Sequence, residues 1–96
     1  MEKVQISKNE WVTATTHSNR MGFVHQAAYL RNNNVIKRAS IQYYNRTWER
    51  FAYQSVLNKL ADKVPTLSQN EIFNDLLENG FCCIKDYEER QKLKSN

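Results

Sequence analysis

Three consecutive asparagines, Asn32-Asn33-Asn34, constrain this chain more than any other feature. Asparagine tolerates the left-handed backbone that tight hairpins use, so the triplet reads as a turn. Before it, Met21–Arg31 alternates Phe23, His25, Ala27 and Tyr29 with Val24, Gln26, Ala28 and Leu30. That periodicity alone fits strand or helix. After the triplet, Val35–Tyr44 places Val35, Lys37, Ala39, Ile41 and Tyr43 on one face and Ile36, Arg38, Ser40, Gln42 and Tyr44 on the other. This is a strand with a mostly apolar face and a polar, basic one. Its partner across an Asn turn is then also a strand, and the pair makes a hairpin.

The rest of the first half continues the pattern. Val4–Ile6 reads as a short edge strand, and Glu10–Thr16, rich in Trp, Val and Thr, as a second strand. His17-Ser18-Asn19-Arg20 reads as a turn or loop. The second half changes period. Thr47 is suited to cap a helix, because its hydroxyl accepts from free amides of the first turn. Trp48, Phe51, Ala52, Val56, Leu60 and Val64 follow at helical spacing, widened by Tyr53, Leu57 and Ala61, and Pro65 ends the run. Trp48, which opens this stripe, is expected to anchor the core. Ser68-Gln69-Asn70-Glu71 has the form of a capping box before a second stripe of Ile72, Phe73, Leu76 and Leu77. Asn79-Gly80 reads as a left-handed end to it. Phe81-Cys82-Cys83-Ile84 reads as a short strand or extended piece, and 86–96 as a charged tail.

The expected fold is therefore α+β: a three- to four-stranded antiparallel sheet followed by two helices, the long helix packed on one sheet face. At 96 residues and 11.4 kDa the chain fits a single domain over 1–96, with a β-rich part (1–44) and a helical part (47–80). One Pro and two Gly argue against a linker-built or disordered chain. No apolar run reaches the ~18–20 residues of a membrane span. The N-terminus lacks the apolar stretch of a secretory signal, so a cytoplasmic location is expected.

Little in the sequence points to catalysis. His17 and His25 have no carboxylate or cysteine at metal-ligand spacing. Gly22 and Gly80 do not make a phosphate loop, and no nucleophile turn appears. Glu71, Asp75 and Glu78 share a stripe of the second helix and read as its solvated face. Cys82 and Cys83 are adjacent, a spacing that strains a disulfide and lacks redox or metal logic. No metal and no cofactor are expected, and the chain reads as a binding protein rather than an enzyme.

Charge is more informative. The formal net charge is +4. Residues 20–59 hold Arg20, Arg31, Lys37, Arg38, Arg46, Arg50 and Lys59 against Glu49 alone, whereas residues 60–96 are net acidic. That distribution predicts a basic face and a separate acidic end. The densest stretch, Tyr43–Phe51, combines Tyr43, Tyr44, Trp48 and Phe51 with Arg46 and Arg50, the composition of interaction hot spots and of nucleic-acid surfaces. Tyr43, Trp48 and Phe51 fall on apolar faces. The residues expected to meet a partner are Lys37, Arg38, Tyr44, Arg46 and Arg50.

The run Tyr43-Tyr44-Asn45-Arg46-Thr47-Trp48-Glu49-Arg50-Phe51-Ala52-Tyr53-Gln54-Ser55-Val56-Leu57 resembles a strand-to-helix segment in small proteins of phages, plasmids and conjugative elements of Gram-positive bacteria. With the Leu30–Lys37 turn region, the resemblance covers about a third of the chain. It implies a context in which small accessory proteins inhibit host defence nucleases or bind DNA. Two functions follow as expectations. One is a stoichiometric inhibitor of a host nuclease or ribonucleoprotein nuclease, of anti-CRISPR or anti-restriction type. The other is a small DNA- or RNA-binding regulator that uses the basic hairpin.

Overall fold

The structure is a computed structural model. It describes residues 2–44 and 49–79, apart from the side chains at 2 and 49–51. Four strands, β1 (Glu2–Ser7), β2 (Glu10–Asn19), β3 (Gly22–Arg31) and β4 (Asn34–Tyr43), form an antiparallel meander in the order β1-β2-β3-β4. Two helices follow: α1 (Glu49–Lys63) and, after a 3₁₀ turn at Pro65–Gln69, α2 (Glu71–Asn79). α1 lies over β3 and β4, and α2 packs on α1 and reaches β1. The α+β fold expected from the sequence is the one found, with four strands.

The asparagine turn forms as its chemistry dictates. Arg31 pairs with Asn34, which leaves Asn32 and Asn33 as a two-residue loop at φ 53° and 66°. Both residues are left-handed, the requirement of a turn whose twist matches the strands it joins. The Asn32 amide also donates to Asn9 O at 2.9 Å, tying this turn to the neighbouring β1–β2 turn. At the other end, Asn19 pairs with Gly22, so β2 continues through the stretch that read as a loop and turns only at Arg20-Met21. Gly22 sits at φ 137°, and a Cβ there would stand 2.2 Å from Tyr43 O. Only glycine lets the end of β4 pass that close.

One sheet face is the core floor. Ala14, Ala27 and Ala39 stand opposite one another across β2, β3 and β4, a row of small side chains over which a helix can approach closely. Val4, Ile6, Val12 and Tyr29 complete the floor, and Ala52, Val56, Leu57 and Leu60 of α1 close over it with Leu67, Phe73 and Leu76. Pro65 ends α1 as expected and opens the 3₁₀ turn.

Three local expectations are corrected. The cap of α2 is Asn70, not Ser68: Phe73 N donates to Asn70 Oδ1 at 2.9 Å, while Ser68 Oγ donates to Pro65 O at 2.8 Å. Asn70 wins because the 3₁₀ turn consumes Ser68, and because its own Nδ2 also reaches Ile6 O at 2.8 Å. Asp75 does not belong to a solvated face. It is 5% exposed, and Asn79 Nδ2 donates to its Oδ1 at 3.1 Å. Val35 leaves the apolar face of β4, because a bulge at Ile36 sets Tyr29 opposite Lys37 but Leu30 opposite Val35. Thr47, Trp48, Gly80, the two cysteines and the charged tail lie outside the described residues. Among the described residues no helix is long and apolar enough to cross a membrane.

Candidate functional site

Among the described residues no helix covers the second face of the sheet. Alternation along each strand sends there every side chain that does not face the core, and the register sorts them into rows. One row runs Lys3, Thr13, Ala28, Arg38 from β1 to β4. The next carries Thr15, Gln26 and Ser40, and on the opposite flank lie Gln5, Trp11, Leu30 and Val35. Short side chains fill the middle and cations stand at both ends of the first row. The result is a trough of about 650 Å³.

Two more cations enter from the other layer. Lys59 and Lys63 are four residues apart on α1, so they share one side of the helix. Their stems pass the edge of β4, and the ammoniums donate to Ser40 O at 2.9 Å and Arg38 O at 2.7 Å. Among the described strands β4 is an edge, and its outward carbonyls would otherwise offer pairing to another chain. The lysines occupy two of these carbonyls and bring two positive charges to the rim of the trough. Lys3, Arg38, Lys59 and Lys63 all line it, and the described lining holds no carboxylate. Beside it, Lys3 Nζ rests 4.4 Å from the centroid of the Trp11 ring.

The expected partner residues are not gathered at one place. Arg38 lines the trough. Lys37 is exposed but belongs to the opposite face, opposite Tyr29 and in register with the core rows. Tyr44 is 69% exposed just beyond β4. Arg46 and the Arg50 side chain fall outside the described part. Sequence reading missed Lys3, Trp11, Lys59 and Lys63. The alternation Trp11-Thr13-Thr15-His17 was a visible signal for an uncovered face, but the cations at its rim come together only through strand register and helix placement.

Two polar clusters lie on the covered side. Thr16 Oγ1 is 2.9 Å from both His25 Nδ1 and Tyr53 Oη, and the His25 ring packs edge-on to Tyr43 and Tyr53. At 2% exposure His25 is a buried sheet residue, and the Thr16 hydroxyl beside it fastens β2 to Tyr53 of α1. At the β1–β2 turn, the Glu10 carboxylate accepts from Ser7 Oγ at 2.6 Å and from the Tyr29 hydroxyl. The Ser7 bond, then the Tyr29 bond, hold its pKa below the ordinary value, with nearby Arg31 adding to them against burial. The Tyr29 phenol is pushed upward, first by burial and then by the adjacent carboxylate. Among the described residues no group of three or more His, Cys, Asp or Glu side chains stands where it could hold a metal ion.

Comparison with family models, with curated proteins and with solved structures finds no match to this chain.

Proposed function

We propose that this is a non-enzymatic binding protein that holds an anionic partner against the uncovered face of its sheet, in the cytoplasm of its host cell. The observation that supports this reading is the one-sign lining of the trough. Lys3 and Arg38 end one register row, and Lys59 and Lys63 are fixed at the β4 rim. Cations focused over a concave surface raise the local concentration of an anionic ligand and speed its capture.

A charge-reversal pair tests it. Lys3→Glu with Arg38→Glu inverts the row across the trough, and Lys8→Glu with Lys37→Glu makes the same change in net charge elsewhere. Binding to heparin, a generic polyanion, should drop sharply for the first variant and little for the second, with both melting near the wild type. Equal losses would show that net charge alone, not the trough, attracts the polyanion.

The second reading is the stoichiometric inhibitor of a host defence nuclease that the sequence resemblance implies. The observation favouring it is the exposure of Glu71 and Glu78 on the helical layer, away from the trough. A nuclease–nucleic-acid complex would meet a basic face on one side of this molecule and acidic side chains on the other. Inhibition of such a nuclease that survives Lys3→Glu with Arg38→Glu but fails with Glu71→Lys and Glu78→Lys would place the contact on the helical layer.

A further inference from the structure

We propose that the ligand of the trough is a single-stranded nucleic acid, lying across the strands with phosphates on Arg38, Lys59 and Lys63 and a base on Trp11; this rests on the anionic-partner reading above.

Width decides against a duplex. Four strands about 4.8 Å apart span roughly 14 Å before side chains are added. The major groove is about 12 Å wide and admits a helix or a two-stranded ribbon. A four-stranded open face is too wide for either groove of an undeformed duplex. A single strand can lie down on such a face and present bases to it.

The edges argue against an extended acidic peptide, whose usual entry is strand addition. On β4 the carbonyls of Ser40 and Arg38 already accept from Lys59 and Lys63. On β1 the Ile6 carbonyl accepts from Asn70 Nδ2. Among the described residues what stays open is the face, whose floor of Thr13, Thr15, Gln26 and Ser40 offers hydroxyls and an amide that donate and accept alike. That mixture suits base edges and sugars and is indifferent to sequence.

Trp11 supplies the stacking partner. It shares the open face with Lys3 and Leu30, and Lys3 Nζ lies over its ring. An exposed cation–π contact is weak. A base that takes the lysine's place on the indole exchanges a weak contact for a stronger one and releases the ammonium to a phosphate. Lys59 and Lys63 each spend one donor on a carbonyl and keep others for phosphate oxygens, from positions already fixed.

Fluorescence anisotropy reads the outcome. The probes are a labelled single strand of roughly 16 nucleotides, the same sequence as a duplex, and polyglutamate as competitor. The single strand should bind well above the duplex and resist polyglutamate. Trp11→Ala should weaken it by about tenfold or more with the salt slope unchanged, and Trp11→Phe should restore most of that loss. Arg38→Ala should lower the salt slope by about 0.7, the value for one phosphate on a single strand. Equal affinity for the duplex, or displacement by polyglutamate at matched charge, would overturn the single-strand assignment and leave the anionic face standing. No binding of any polyanion would overturn the anionic reading itself.

Discussion

The two faces of this sheet share every strand and every register pair, yet the described helices seal one and leave the other open. On the sealed face the row Ala14-Ala27-Ala39 is small and apolar, and α1 settles onto it with Val56, Leu57 and Leu60. One residue further along each strand, the row Lys3-Thr13-Ala28-Arg38 is just as short in its middle but ends in cations, and none of the described helices packs on it. Small side chains alone therefore do not recruit a helix. The apolar stripe of α1 is consumed by one face, and the lysines on its flank tie its polar side to the β4 edge. The same helix that closes the core thus equips the rim of the open face.

The largest effect should come from the sealed side. Phe73 is fully buried where α2 meets the core, and Phe73→Ala should cost about 3–5 kcal/mol in denaturant unfolding. Thr15→Ala on the open face should change stability by no more than about 0.5 kcal/mol. A comparable loss at Thr15 would mean that the open face is packed against something in solution. Next comes Asn70, whose side chain both caps α2 and holds the Ile6 carbonyl. Asn70→Ala should cost about 1–2 kcal/mol. Smaller again, Lys59→Ala with Lys63→Ala should leave stability within about 1 kcal/mol of the wild type. That pair frees the Ser40 and Arg38 carbonyls, so self-association should rise in size-exclusion runs at increasing concentration. Unchanged monodispersity would show that the lysines serve the trough and not the edge.

How much of this was legible depends on whether the determinant is local. The Asn32-Asn33 turn was, because left-handed backbone is written in the residue type. The helical stripe was too, since Ala52, Val56 and Leu60 recur at the helical period and are all buried. The end of β2 was not. Ser18 and Asn19 are polar and exposed where β2 runs on past its pairing with β1, so they carry no burial pattern and look like loop. The bulge at Ile36 leaves no mark in sequence, and it moved Val35 to the other face. Asp75 looked solvated because its neighbours in the stripe are, and its burial follows from how α2 packs. Of the trough, Arg38 was read correctly as polar-face, but Lys3 and Arg38 are 35 positions apart and meet one row only through three strand pairings.

The smallest effect separates the two partners of Glu10. Its pKa lies below the ordinary 4.5, so the stability it contributes is full above that value and is lost as pH falls from there through the lowered one. The Tyr29 phenol is raised above 10.0, so its contribution is full below that value and is lost as pH rises through the raised one. Glu10→Gln removes the charge behind the acid limb and part of the alkaline one, and should flatten the first entirely. Tyr29→Phe should abolish the alkaline limb but keep most of the acid limb, because the Ser7 bond is the larger cause of the Glu10 shift. Ser7→Ala should do the reverse, shrinking the acid limb while the alkaline limb persists. Melting temperature against pH for the three variants reads both limbs. If Tyr29→Phe erased the acid limb and Ser7→Ala spared it, the phenol would be the group that holds the carboxylate ionised, and the hold would come from the sealed face, where Tyr29 is buried, rather than from the turn.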